Sequence, residues 1–248
     1  MKKYITIATL LAAGSAFANA AEYTVNKVWS IDFGSEYENG YSATGISSPA
    51  PDVTPGIWDV VAVEGGAQTN GEKRIHMAGL SYGSWEDDFR IDIDLTLGGT
   101  ITASNNWPVL AEVGGNGSWV RFGPYVAEAD GNKIGIDESP EGLFTEKEAP
   151  SVAVSPNGSY VVSFVKIGRD LTVLLDGDSA VRATLADSLE GDLTDLCLGG
   201  DHNNNYKINA TYHSVSYSKL TLIPEPSTFG LLAGLGALAL VGTRRRRR

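Results

Sequence analysis

Residues Phe89–Leu97 read FRIDIDLTL, with Phe89, Ile91, Ile93, Leu95 and Leu97 on alternate positions and Arg90, Asp92, Asp94 and Thr96 between them. Side chains of an extended chain point to opposite faces in turn, so this spacing makes a strand with one dry and one wet side. Such a strand must bury its dry face against a second layer. The expected architecture is therefore two packed antiparallel sheets. The rest of the chain agrees: short apolar runs alternate with Gly, Asn and Asp turns, and only Ala186–Glu190 could make even one helical turn.

A second stretch, Ser159–Leu185, adds topology. Tyr160–Lys166 alternates as a strand, Gly168–Asp170 supplies a turn, Leu171–Leu175 is a second strand, and Asp176-Gly177-Asp178 turns into Ala180–Leu185. Asp-Gly between two apolar runs is a hairpin signal, so these three strands form a meander. An apolar strand ending in an aliphatic-Asp-Gly turn resembles the YVDG centre of LamG and concanavalin A-like jelly rolls. Phe89–Leu97 is similar to the FTVSFWVK strand of those domains. Trp107–Val113, a Gly114–Gly117 turn and Trp119–Val126 are similar to the hairpin that follows it, and Leu196–Gly200 with Tyr212–Leu222 to the IGG strand and the closing strand. Where the family's closing strand begins with Gly and an acid, Ala210-Thr211-Tyr212-His213 stands.

Other strands are expected at Val28–Phe33, Ile57–Val63, Arg74–Gly79, Lys133–Ile136 and Ser151–Val154. Gly34–Gly56, with Pro49, Pro51 and Pro55, reads as a long loop, and Ser81–Asp88 as an acidic aromatic loop.

The two ends are addresses. Lys2 and Lys3 precede an apolar run, Tyr4–Ala13, and Ala18-Asn19-Ala20 offers small residues for cleavage after Ala20; residues 1–20 read as a signal peptide. At the other end Pro224-Glu225-Pro226 precedes an uncharged apolar segment, about residues 227–243, and five arginines, Arg244–Arg248. The segment reaches the lower end of the roughly 17 to 25 residues that span a bilayer, and the arginines would keep its end in the cytoplasm. Triplet, apolar helix and basic cluster together resemble the PEP-CTERM sorting signal over residues 224–248. That resemblance implies a Gram-negative bacterium whose exosortase cuts near the triplet, after a transient membrane-anchored stage, and releases the body to the envelope, surface or extracellular matrix. A plain membrane anchor is the alternative.

Between these ends lies a body, residues 21–223, of a size that suits one all-β domain. Of 19 basic and 30 acidic residues, Lys2, Lys3, the five C-terminal arginines and Glu225 lie outside it. The body keeps 12 basic and 29 acidic residues, a net charge of −17. A surface this acidic repels nucleic acid and anionic membranes and favours divalent cations. Cys197 is the sole cysteine, so the body has no internal disulfide; between Leu196 and Leu198 it reads as a small buried thiol.

Glucanases of the concanavalin A-like superfamily carry a Glu-x-Asp-x-x-Glu strand. Here Asp92-Ile93-Asp94 stands in its place with Leu97 where the second Glu would fall, and a solvated strand face explains Arg90, Asp92 and Asp94. No Gly-x-Ser-x-Gly, His-Glu-x-x-His or phosphate-loop motif appears, and His76, His202 and His213 lack zinc spacing. Calcium is the candidate cation, with oxygen donors from Asp201, Asn203 and Asn205 or from Asp176 and Asp178, although such loops also serve as simple turns. Trp85, Trp58 and Trp107 are the candidate ligand-binding rings. Trp85, set among Gly83, Ser84 and Glu86–Asp88, is the best placed for exposure unless it plugs the sandwich end, while Trp29 and Trp119 alternate as buried residues should.

The expected protein is a LamG-type jelly roll, not an enzyme, that binds extracellular polysaccharide or mediates adhesion. Signal peptidase and exosortase are its processing partners, and the membrane holds its C-terminal helix before processing. The alternatives are an extracellular β-glucan hydrolase and a structural matrix protein without specific ligand.

Overall fold

A computed structural model describes residues 23–33, 61–63, 65–70, 74–99, 108–125, 132–201 and 208–223. The strands in chain order are β1 (Tyr23–Asp32), β2 (Val61–Val63), β3 (Gly66–Asn70), β4 (Ile75–Ser84), β5 (Phe89–Leu97), β6 (Ala111–Gly115), β7 (Ser118–Tyr125), β8 (Lys133–Ser139), β9 (Phe144–Lys147), β10 (Ser159–Ile167), β11 (Asp170–Leu175), β12 (Asp178–Leu185), β13 (Asp192–Leu198) and β14 (Asn209–Leu222). They form two sheets, β2-β3-β14-β5-β10-β11-β12-β9 with β1 also on β14, and β4-β13-β6-β7-β8. The registered pairings among β2 to β14 are antiparallel. There is no helix among the described residues. The protein is thus all-β, built of two antiparallel sheets. The described residues between 26 and 220 belong to one compact unit; residues 23–25 and 221–223 belong to another, in which Thr24 Oγ1 donates to the Thr221 carbonyl at 3.2 Å.

The alternating strand sits at the centre of the larger sheet. All five apolar residues of β5 are buried and the four between them half-buried. Ile91 lies opposite Phe164 of β10 and Tyr217 of β14, and Ile93 opposite Val162 and Val215, so three strands present one continuous inner face. The five-stranded sheet answers with Val113, Val120, Phe122, Ile134, Ile136, Leu196 and Leu198, all buried. Phe122 stacks on Phe164 across the gap, with centroids 5.5 Å apart and planes 11° from parallel, while Phe89 meets Trp85, Phe164 and Tyr217 at 5.9, 5.9 and 5.5 Å. Tyr212 ties the layers as well, since its hydroxyl donates to the Leu110 carbonyl at 2.7 Å.

The meander is present as read: β10, β11 and β12 are consecutive neighbours. Asp176 and Gly177 at its second turn have φ of 51° and 94°, the left-handed pair that a two-residue hairpin needs to match strand twist. Asp176 Oδ1 also accepts the Val161 amide at 2.8 Å, which ties the turn to β10. A side chain at Gly177 would meet nothing within 4 Å, so only backbone strain opposes one. Gly177→Val is expected to lower unfolding free energy by about 1 to 2 kcal/mol, read as a shift in the urea midpoint.

Some expectations give way. Ser151–Val154 is not a strand; Ala153 makes one isolated bridge to Lys133. The apolar β4 extends to Ser84, which confines the acidic loop to Trp85–Asp88, and the Phe144–Lys147 edge strand carries no alternation that sequence could reveal. The long loop at Gly34–Gly56 lies outside the described residues.

Burial gives the fold an alkaline limit. It raises the phenols of Tyr212 and Tyr217 above the usual 10, Tyr217 with Asp87 adding to the effect. A raised folded value means stability fully present below pH 10 and lost as pH climbs beyond it, because the unfolded phenols ionise first. Lys166, 3% exposed with its amine donating to the Asp87 carbonyl at 3.0 Å, is held below 10.5 by burial, against the pull of Asp88 and Asp87, and works in the opposite sense up to that pH. The expected result is a 295 nm tyrosine titration in which these two phenols ionise only with loss of the fold, above the ordinary phenol value of 10.

Candidate functional site

The two faces of the β6–β7 hairpin differ sharply. Ala111, Val113, Val120 and Phe122 enter the core, so Glu112, Gly114, Trp119 and Arg121 stand on the outer face of the five-stranded sheet. Register extends that face sideways: Glu112 lies opposite both Arg121 and Cys197, Arg121 opposite Asp137, and Gly114 opposite both Trp119 and Asp195. Two adjacent rows result, Cys197-Glu112-Arg121-Asp137 and Asp195-Gly114-Trp119-Ser139.

Gly114 has a specific task in the second row. A Cβ there would overlap Cδ1 and Cγ of Trp119, so the indole crosses the sheet where the backbone carries no side chain. The ring stays half-buried while Val120 beside it is sealed in the core. In the first row Arg121 donates from Nε and one terminal nitrogen to the same Asp137 oxygen, at 3.1 and 2.8 Å, and its other nitrogen lies 3.8 Å from Asp201. Lys147 approaches the second Asp137 oxygen at 3.7 Å. Exposure grades across the row: Asp201 is 2% exposed, Arg121 15%, Asp137 21% and Lys147 46%. Glu112 is as buried as Asp201. Arg74 reaches Cys197 Sγ at 3.8 Å, and burial, then Glu112, push that thiol well up, so it stays protonated and is no nucleophile.

The rings chosen from sequence fare differently. Trp85 is fully buried beside Phe89, not exposed, because the short loop between β4 and β5 turns its ring into the core, and it leaves the ligand set. Trp119, which alternation alone assigns to the core, stands on the outer face instead. Trp58 and Trp107 lie outside the described residues, as do Asn203, Asn205, Ala18, Ala20, Pro224, Glu225, Pro226 and the apolar and arginine segments that follow.

The candidate calcium donors among the described residues lie apart in the fold. Asp176 caps the Val161 amide, Asp178 opens β12 opposite Leu175, and Asp201 faces Arg121. No group of three or more His, Cys, Asp or Glu among the described residues is arranged to hold a metal ion. Asp92 accepts from Arg90 at 2.6 Å and from Ser163 at 2.5 Å on the outer face of the larger sheet. No helix among the described residues is long and apolar enough to cross a membrane.

The site residues that sequence reading passed over are Glu112, Arg121, Asp137 and Trp119. One signal was available. Arg121 must face outward, and a strand's period of two carries Trp119 out with it.

Residues 222–247 match the PEP-CTERM protein-sorting motif. The chain is an exported protein sorted to the cell envelope. Its tail implies processing by an exosortase-type system. No curated protein matches the chain in sequence. Among solved structures the body is similar to domain 4 of AbnA, an extracellular arabinanase of Geobacillus stearothermophilus solved with arabinotriose, at 16% identity and TM-score 0.46 over 66% of this chain and 75% of that one. It is similar to the carbohydrate-binding module CBM66 of Bacillus subtilis at 14% identity and TM-score 0.43, covering 64% and 89%. The galectin LEC-6 of Caenorhabditis elegans follows at 10% identity and TM-score 0.41, covering 58% and 89%.

Proposed function

We propose that this envelope protein is a non-catalytic glycan binder of LamG type, and that it holds its ligand on the outer face of the five-stranded sheet. The observation that carries this is the seating of Trp119 over Gly114 beside the Arg121–Asp137 pair. A sugar offers an apolar face of C–H groups and a rim of hydroxyls. An aromatic ring takes the first, and rigidly held carboxylates and a guanidinium take the second with charge-assisted hydrogen bonds.

Two features support binding without bond cleavage. Retaining hydrolysis needs two carboxyls about 5 to 5.5 Å apart across the scissile bond, one as acid and one as nucleophile. Here Asp137 and Asp201 both turn onto a single guanidinium. In the larger sheet Asp92 is engaged by Arg90 and Ser163, which is the work of a structural carboxylate.

A glycan array with the purified mature protein tests the reading, paired with reducing-sugar release from each glycan retained. Retention without release is expected. No retention would leave a structural matrix protein, and release abolished by Asp92→Asn or Asp94→Asn would make it a hydrolase.

A further inference from the structure

We infer that the site takes uncharged polysaccharide and rejects uronate-rich or sulfated chains, an inference that rests on the glycan-binding reading above. Four carboxylates share the outer face or border it: Glu112, Asp137, Asp195 and Asp201. Against them stand Arg74, Arg121 and the half-exposed Lys147. What matters is where the cations already point. Arg121 gives two hydrogen bonds to Asp137 and faces Asp201, while Lys147 shares the remaining Asp137 oxygen at 3.7 Å.

An anionic sugar would therefore bring its charge against Asp137, whose own charge already offsets both cations, and would meet Glu112 and Asp201 at 2% exposure or less behind them. Like charges brought together in such poorly solvated surroundings repel strongly. The body's net charge of −17 adds repulsion at a distance. A neutral sugar meets none of this. Its hydroxyls donate to the carboxylates and accept from the guanidinium without breaking the pair, while Trp119 takes its apolar face. Asp137 is thus the residue that sets specificity: it occupies the place an acidic ligand would claim.

The test is affinity electrophoresis of the mature protein in gels of neutral β-glucan, neutral arabinan, polygalacturonate and alginate, at low and at physiological salt. At least one neutral polymer is expected to retard the protein, with both uronates at least tenfold weaker at low salt and the gap narrowing as salt screens the repulsion. Asp137→Asn, with its fold checked by circular dichroism, is expected to close that gap about tenfold by leaving the Arg121 and Lys147 charge to the ligand. Equal or tighter retention by a uronate in the unaltered protein overturns the inference and leaves glycan binding intact. Retention by no polymer overturns the glycan-binding reading itself. The salt series needs no variant, so a misfolded Asp137→Asn does not spare the inference.

Discussion

Phe164→Ala is expected to lower the unfolding free energy by about 3 to 5 kcal/mol, the range for removing a buried aromatic ring. The ring is fully buried, lies opposite Ile91 on one side and Val173 on the other, and stacks on Phe122 of the facing sheet. Removing it opens a cavity in the close-packed layer that joins the sheets, where the ring meets Phe89 and Phe122. No disulfide limits the damage, since Cys197 is the chain's single cysteine. For a domain whose total stability is about 5 to 15 kcal/mol, such a loss moves the urea midpoint a long way or prevents folding. Val161→Ala, three residues earlier on the same strand but 40% exposed, should cost less than about 0.5 kcal/mol. Equal shifts for the two would mean that the sheets do not pack through this ladder.

Trp119→Ala is expected to weaken retention by neutral glycan about 10- to 100-fold while lowering the urea midpoint far less than Phe164→Ala does. A ring central to a binding surface typically carries about 2 kcal/mol or more, and each 1.4 kcal/mol is tenfold. The fold should tolerate the change because the strand is held by Val120 and Phe122 on its other face. Gly114→Val supplies an independent arm. Its side chain would occupy the seat of the indole and should cost affinity with Trp119 still present. Trp119→Phe should keep part of the affinity, since a smaller ring still offers an apolar face.

Much of the larger sheet was legible because period-two alternation over Phe89–Leu97 and the Asp-Gly turn at Asp176-Gly177 are local signals, complete within a few residues. Ser151–Val154 misled because its alternation of small and branched residues fits an extended segment as well as a paired strand; pairing depends on a partner elsewhere. Trp85 misled in the opposite way: acidic neighbours made it look exposed, yet Glu86 takes the solvent while the ring turns into the core. The site was the least legible part. Glu112, Arg121, Asp137 and Cys197 come from four strands, and only register brings them into one row. Arg121 alone marked which side of β7 faces out, and a large apolar Trp119 two residues away argued against it.

Hydrogen–deuterium exchange of the mature protein, with and without a neutral polysaccharide that retards it, asks most directly where the ligand sits. Slowed exchange is expected across Ala111–Tyr125 and the neighbouring Lys133–Ser139, the hairpin and edge strand that carry Trp119, Arg121 and Asp137. Protection confined to the Ser159–Leu185 meander, with the β6–β7 hairpin unchanged, would contradict the assignment of this face as the binding surface.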